Sequence, residues 1–310
     1  QPLPSWLTEE VRSAHWEGAG PHSARECNGF APRAGALERW PRQPQEIPDM
    51  AAVRKMFDGY DTGVLYADTY VGRILNVLAD HNLLDDAAVM LSADHGETLG
   101  ELNVYGDHQT ADWCTSRVPL LLKWPGTDSF AGRHMDGLHY QIDVTATLIE
   151  MLGGKTPRSW DGQGFAESLD AGQDQGREFL VLSQGAWTCQ RSVRWGDNLL
   201  IKTLHDGYHL YDELMLFDVK NDPHEQTDLR RDRPELVEAG LSRLRSWQAE
   251  MMPLAARGRD PLENVVLEGG PYHVRGQLPG YLKRLRETSR QAHARRLEKK
   301  YAQELAGAVQ

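Results

Sequence analysis

The longest regular pattern of apolar positions begins at Met50. Tyr60, Val64, Ala67, Val71, Ile74, Leu75 and Leu78 fall on one face of a 3.6-residue period, which predicts an amphipathic helix. The pattern runs to about Asp80, where His81, Asn82 and the Asp85-Asp86 pair interrupt it. Residues 88–93 are then short, apolar and unbroken, and residues 118–123 repeat that character before Trp124-Pro125-Gly126. Such runs suit parallel strands covered on both faces, because double burial removes the in-out alternation. Residues 142–152 predict a second helix stopped by Gly153-Gly154. Helix, strand, loop, strand, helix is the order of an α/β sheet.

After Gly164 the pattern changes. Residues 178–183, 191–194 and 198–203 predict strands, the last two joined in a hairpin around Gly196-Asp197, and residues 215–219 predict another. Asn221-Asp222-Pro223 marks a turn. Residues 234–251 predict a helix with proline at its start and Leu236, Leu241, Leu244 and Trp247 near one face. Residues 1–48 hold many Pro, Gly, Trp and Arg with no sustained period, and predict an irregular stretch with one helix over residues 8–17. The expected organisation is an irregular segment 1–57, an α/β unit 58–165, a small antiparallel sheet covered by a helix over 176–252, and an extension 253–310 ending in a basic helix.

Composition narrows the function classes. The chain has 310 residues and a formal net charge of −11, which argues against nucleic acid as a partner. Residues 281–303 are the local exception, with Lys283, Arg284, Arg286, Arg290, Arg295, Arg296, Lys299 and Lys300 against Glu287 and Glu298, and they predict a solvated terminal helix. No apolar run approaches the roughly 20 residues of a membrane span. Three widely spaced cysteines, Cys27, Cys114 and Cys189, make neither a disulfide framework nor a zinc cluster, which fits a cytoplasmic, reducing compartment.

Candidate chemistry concentrates at Asp94-His95-Gly96-Glu97, directly after the first predicted strand, where open α/β sheets place their ligands. A carboxylate and an imidazole side by side can turn toward one divalent ion while Gly96 lets the chain bend away. Taken alone, an Asp-His pair is as readily a helix cap or a hydrogen-bonded pair.

The context around this pair resembles the sulfatase family of the alkaline phosphatase-like superfamily. Residues 60–101 are similar to that family's helix, strand and metal loop. They are followed in the family's order by Gly106-Asp107-His108, then 117–126, then the helix at 143–148 with Asp161-Gly162, then 193–197 and 216–225. The resemblance covers residues 58–252. It implies the C-terminal half of an alkaline phosphatase-like α/β sandwich core, with the small antiparallel sheet appended. It also implies sulfate ester hydrolysis through an aldehyde-hydrate nucleophile made from the Cys or Ser of a Cys/Ser-x-Pro-x-Arg motif, assisted by one divalent metal ion. Carried over by position, Asp94 and His95 are metal ligands. Calcium is the family's common ion, whereas an imidazole ligand suits manganese, iron or zinc better. Related phosphonate and phosphate diester hydrolases use an Asp-His pair too, so a phosphoester substrate is the alternative within the fold.

Two departures stand out. Asp107 occupies the place of the family's sulfate-binding lysine, where an anion would repel the substrate unless metal-bound or turned away, so His108 is expected to bind substrate or protonate the leaving group. Cys114-Thr115-Ser116-Arg117 lacks the motif's proline, and neither Cys27 nor Cys189 opens the motif. The family's paired Asp ligands also have no match, because Asp85-Asp86 sits in a turn. The nucleophile and first ligand pair are therefore expected upstream of Gln1, the partner is the missing N-terminal half of the core, and the chain alone is expected to be inactive and poorly soluble. Pocket-rim roles for His139, Tyr140, Gln184, Trp187 and Gln190 are weaker readings than packing. The contrasting reading is a non-catalytic fragment that acts as a binding module.

Overall fold

A computed structural model describes residues 2–27, 44–126, 131–173, 176–255 and 258–307, and residues 28–43 of the irregular N-terminal stretch lie outside the described residues. Helix α1 (Glu9–Glu17) starts where the Thr8 hydroxyl accepts the Val11 N–H, and α2 (Met50–Asp80) where the Asp49 carboxylate accepts the Ala52 N–H at 2.8 Å. Both lie where the apolar and capping pattern predicts them. Only the first turns of α2 are packed, with Val53 buried among Leu7, Ala24, Cys27, Ile47 and Tyr105. The apolar stripe farther along is open among the described residues, with Val64 55% and Ile74 62% exposed.

Strands β1 (Val89–Ser92) and β4 (Leu120–Lys123) fall on the two predicted runs but pair antiparallel, Val89 opposite Lys123 and Ser92 opposite Leu120. The expectation of buried parallel strands is thereby corrected. The intervening residues double back through a short hairpin, β2 (Thr98–Leu99) with β3 (Tyr105–Asp107), and the four-residue helix α3 (Trp113–Ser116), with no long crossover helix to bring β4 in parallel. One side of this pair is covered where Leu122 and Trp124 meet Phe165 and Leu169, while Met90 and Leu121 are exposed. The turn holding Asp85-Asp86 is tied to the strand pair by Lys123, whose Nζ donates to the carbonyls of Leu84, Asp85 and Ala87.

Helix α4 (Gln141–Met151) begins on a buried carboxylate. Asp143 accepts the N–H groups of Tyr140 and Gln163 and pairs with Arg177 at 2.5 Å. A short helix α5 (Ala166–Ala171) follows. The second sheet is a meander in the order β5 (Phe179–Gln184), β6 (Cys189–Trp195), β7 (Asn198–His205) and β8 (Leu214–Asp218), all antiparallel as predicted. Helix α6 (Pro234–Met251) lays Leu236, Leu241, Leu244 and Trp247 on Val181, Val193, Trp195, Leu200 and Leu216. The other face of the meander holds Leu199, Ile201, Met215 and Phe217 against Leu102, Trp113 and Tyr211, which seats the β2–β3 hairpin on a rigid sheet.

The basic C-terminal segment departs from expectation. It forms two helices, α8 (Leu278–Glu287) and α9 (Gln291–Lys300), after α7 (Pro261–Leu267) and before α10 (Ala302–Gly307). Instead of being solvated all round, α8 and α9 bury Leu278, Tyr281, Leu282, Leu285, Ala294 and Leu297 around Tyr208 and Val274. The chain breaks between them at Ser289, which has a positive φ of 62°. Arg290 turns inward there and pairs with Glu26 at 2.6 Å, both side chains 1% exposed. Arg284 adds a second 2.6 Å contact to the same carboxylate, and the Tyr281 hydroxyl accepts the Gly20 N–H at 2.6 Å. The apolar spacing of these helices was hidden by the density of charge, since long basic side chains at the rim keep their heads in water while their neighbours pack.

Breaking a buried ion pair from one side leaves an uncompensated charge at a cost of about 3 kcal/mol. Arg290→Met should therefore lower the opening free energy of residues 18–27 by about that amount in amide hydrogen exchange, and a change below about 0.5 kcal/mol would be that of a surface substitution. The open stripe on α2 should bind a hydrophobic dye in the 310-residue chain at neutral pH, with binding reduced by Val64→Glu paired with Ile74→Glu. Dye binding unaffected by that pair would place the exposed apolar surface elsewhere.

Candidate functional site

The loop after β1 is held from both sides. Gln141 Nε2 donates to the Ala93 carbonyl at 2.5 Å, and the Gly96 N–H donates to the Thr115 carbonyl at 2.8 Å. A Cβ on residue 96 would collide with the Cys114 carbonyl oxygen. Gly96 is thus required by close backbone approach, and its φ is not in the left-handed region, so the expected role as a sharp bend is replaced by a packing role.

Glu97 leads into β2, and β3 brings Asp107 back opposite Thr98. This return places His108 over His95, their rings stacked 3.8 Å apart, with His108 Nδ1 3.8 Å from Glu97 Oε2. One donor atom from each of His95, Glu97 and His108 lies within 4.8 Å of the others. Two imidazoles and a carboxylate so disposed can hold a divalent ion, and the mixed nitrogen and oxygen set suits a borderline transition ion better than calcium. Burial, reinforced by the Asp107 charge and opposed by His95, pushes the Glu97 carboxyl up to about 7.

Asp94 stands apart from this trio. Its side chain is 89% exposed, and its Oδ2 lies 3.9 Å from His95 Nε2. Hydrogen bonds from its own and the His95 backbone N–H hold its carboxyl below the usual range. Glu97, which the Asp-His reading passed over, has the more enclosed carboxylate.

Asp107 turns toward protein donors. Its carboxylate accepts the His108 N–H at 2.6 Å and the Gln109 amide at 3.3 Å, and lies 3.1 Å from His22 Nε2. His22 comes from the N-terminal segment, has a positive φ of 55°, and meets the edge of Trp187 at 4.9 Å. A non-glycine residue in that backbone region stores strain that surrounding contacts must hold, a frequent mark of functional positions. Sequence reading missed His22 because nothing in Gly20-Pro21-His22-Ser23 signals a partner at Asp107, 85 positions on.

Of the weaker candidates, Gln184 donates to the His108 carbonyl at 2.7 Å, and its Oε1 accepts the N–H groups of Gly185 and Ala186. Trp187 stacks on His273 at 4.5 Å. Gln190 is buried and accepts the Ala111 N–H, while His139 packs on Phe165 and the Tyr140 hydroxyl binds the backbone of Val181. Gln184 and Trp187 border the site, and the other three are structural.

Comparison with known proteins gives the order of these elements a family. Residues 13–154 match the family model described as Sulfatase. That match takes in a little under half of the chain, which over those residues resembles the sulfatase family. A choline-sulfatase from Rhizobium meliloti is 25% identical over 270 residues, 78% of this chain and 50% of that protein. A multifunctional alkaline phosphatase superfamily protein from Trinickia caryophylli is 29% identical over 197 residues, 59% of this chain and 38% of that one. The chain therefore spans half or less of the length of these curated relatives. In structure it is similar to the phosphonate monoester hydrolase of Silicibacter pomeroyi, with a TM-score of 0.57 at 20% identity over 84% of this chain and 51% of that chain. The fold is thus α/β and alkaline phosphatase-like, as the resemblance implied. No helix among the described residues is long and apolar enough to cross a membrane.

Beneath this site, His209 Nε2 bonds Gln109 Oε1 at 2.9 Å, and burial pushes its imidazole down to about 3. The folded chain keeps His209 neutral while the unfolded chain takes up a proton near pH 6.5. The unfolded state then binds more protons between those values, so this contribution is complete above pH 6.5 and is lost as pH falls toward 3. His15, pushed down to about 4 by burial, acts in the same sense. The unfolding midpoint should drop on acidification from pH 7 to pH 4, with a shallower drop in His209→Gln. An identical acid limb in the variant would remove His209 from the account.

Proposed function

We propose that this chain carries the metal-holding part of a sulfuric ester hydrolase site, with His95, Glu97 and His108 around one divalent ion and Asp94 at its mouth. The observation that carries the reading is the convergence of His95, Glu97 and His108 within one ligand sphere on a sulfatase-family segment. A bound ion would neutralise sulfate oxygens and the charge that develops on the sulfuryl group.

The chain's own residues have definite tasks around that ion. Asp107 lies 3.1 Å from His22 Nε2, which sets an imidazole beside the position where the resemblance implies a lysine. His108 has its backbone N–H and carbonyl both engaged, and its ring, with Nδ1 3.8 Å from Glu97 Oε2 and 3.4 Å from Asp107 Oδ1, would face the ion. Of the ions the resemblance allows, manganese, iron or zinc suit two imidazoles better than calcium does.

The nucleophile is supplied from outside residues 1–310. None of the three thiols is suited to the task, since burial pushes Cys27 and Cys189 up to about 12 and also raises Cys114. Hydrolysis of a phosphonate or phosphate ester by the same centre is the second reading, favoured by the two-imidazole donor set. Cytoplasmic placement fits the three free cysteines.

The test is a sulfate against phosphate ester screen on the whole protein, with chelation and metal add-back. His95→Ala and Glu97→Gln should each weaken metal binding and activity roughly 100-fold. Full activity in His95→Ala would remove the centre, full activity in Asp94→Ala would remove Asp94 from it, and a faster phosphate ester reaction would select the second reading.

A further inference from the structure

A second group of ligating side chains lies on the other side of the Gly96 contact. Helix α3 begins at Asp112, which is fully buried and accepts the Thr115 N–H at 2.7 Å and the Thr110 hydroxyl. Cys114 is in the next turn and half-buried. The turn after β8 contributes His224 and Glu225, the latter only 3% exposed. Glu225 Oε1 accepts the Trp113 N–H at 2.6 Å, whereas its Oε2, also buried, has no partner among the described residues. Ligand atoms of Asp112, Cys114 and Glu225 lie within 4.8 Å of one another, and Cys114 lies equally close to Glu101 and His224.

Burying two carboxylates side by side without a cation is unfavourable, and each is consequently pushed toward its protonated form. Burial raises Asp112 to about 6 and Glu225 well above the usual carboxylate range, each reinforced by neighbouring acids. Glu101 contributes to that pressure although it pairs with His224 at 2.7 Å. The acceptor left without a partner among the described residues is Glu225 Oε2, with a sulfur atom near it.

We propose that Cys114, Asp112 and Glu225 form a second metal site, separate from the His95 centre and selective for a thiophilic divalent ion such as zinc. A thiolate with two carboxylates is a donor set that calcium and magnesium do not favour. Binding replaces protons: Cys114–SH and M²⁺ give the sulfur–metal bond and one proton released to water, Glu225 gives up to water any carboxyl proton it holds, and the present Cys114 Sγ–H contact to the Pro223 carbonyl at 3.5 Å is lost. The ion would join α3 to the turn after β8 and so brace the backbone against which Gly96 packs. This assignment does not depend on the hydrolase reading, and its test has no activity readout.

Cobalt(II), added to the full chain in place of zinc, should give a thiolate-to-cobalt charge-transfer band in the near ultraviolet, displaced by zinc. The band should vanish in Cys114→Ser and persist in His95→Ala. Glu225→Gln, which keeps an acceptor for the Trp113 N–H, should weaken cobalt binding roughly tenfold or more with unchanged circular dichroism. In wild-type protein the intensity of the charge-transfer band should correspond to one thiolate per cobalt, which decides the matter even where Cys114→Ser does not fold. Absence of the band in wild type, or its persistence in Cys114→Ser, would each overturn the assignment.

Discussion

Glu26 and Arg290 meet inside the protein, and much of the site's geometry rests on that meeting. Two opposite charges buried together are favourable only when their hydrogen bonds are satisfied, and here they are: Glu26 receives Arg290, Arg284 and Tyr281, while Arg290 also reaches the Gly18 carbonyl. The pair fixes the stretch from Gly18 to Cys27, and that stretch carries His22 to Asp107. Without it, Asp107 would lose its 3.1 Å contact with His22 Nε2. A contact far from the loop after β1 thus helps to hold one side of it.

The site's second support is the face of the meander sheet that α6 leaves uncovered. Leu102 and Trp113 pack there, one from the β2–β3 hairpin and one from α3. The hairpin positions His108 over His95, and α3 supplies the carbonyl that excludes any side chain from residue 96. A rigid antiparallel sheet therefore aligns residues that belong to the other sheet's loop, which is why the strand pair β1–β4 can be small and partly exposed while its loop is well fixed.

Local structure was largely legible in the sequence. Apolar periodicity located α2, α4 and α6, and the Gly196 hairpin and all four strands of the meander were readable because turn chemistry and alternation act over a few residues. The likeness to the sulfatase family was also legible, and the family model matches residues 13–154. What was not legible depends on residues distant in sequence. Strand direction at β1–β4 is set by the route of the connecting chain, not by the apolar run itself. The buried side of α8 and α9 was masked by basic residues. That Glu97 is more enclosed than Asp94 cannot be read from adjacency, and His22 carries no local signature.

The Glu26–Arg290 pair also has a consequence for the order of events. The partners are 264 positions apart, so a ribosome working from the N-terminus exposes the carboxylate long before it adds the guanidinium that neutralises it. Until then, the entropic cost of closing so large a loop is unmet by any contact that closes it. The tie that holds the His22 stretch in place closes only when α8 and α9 have emerged and folded, which makes the setting of His22 beside Asp107 wait on helices far downstream of it.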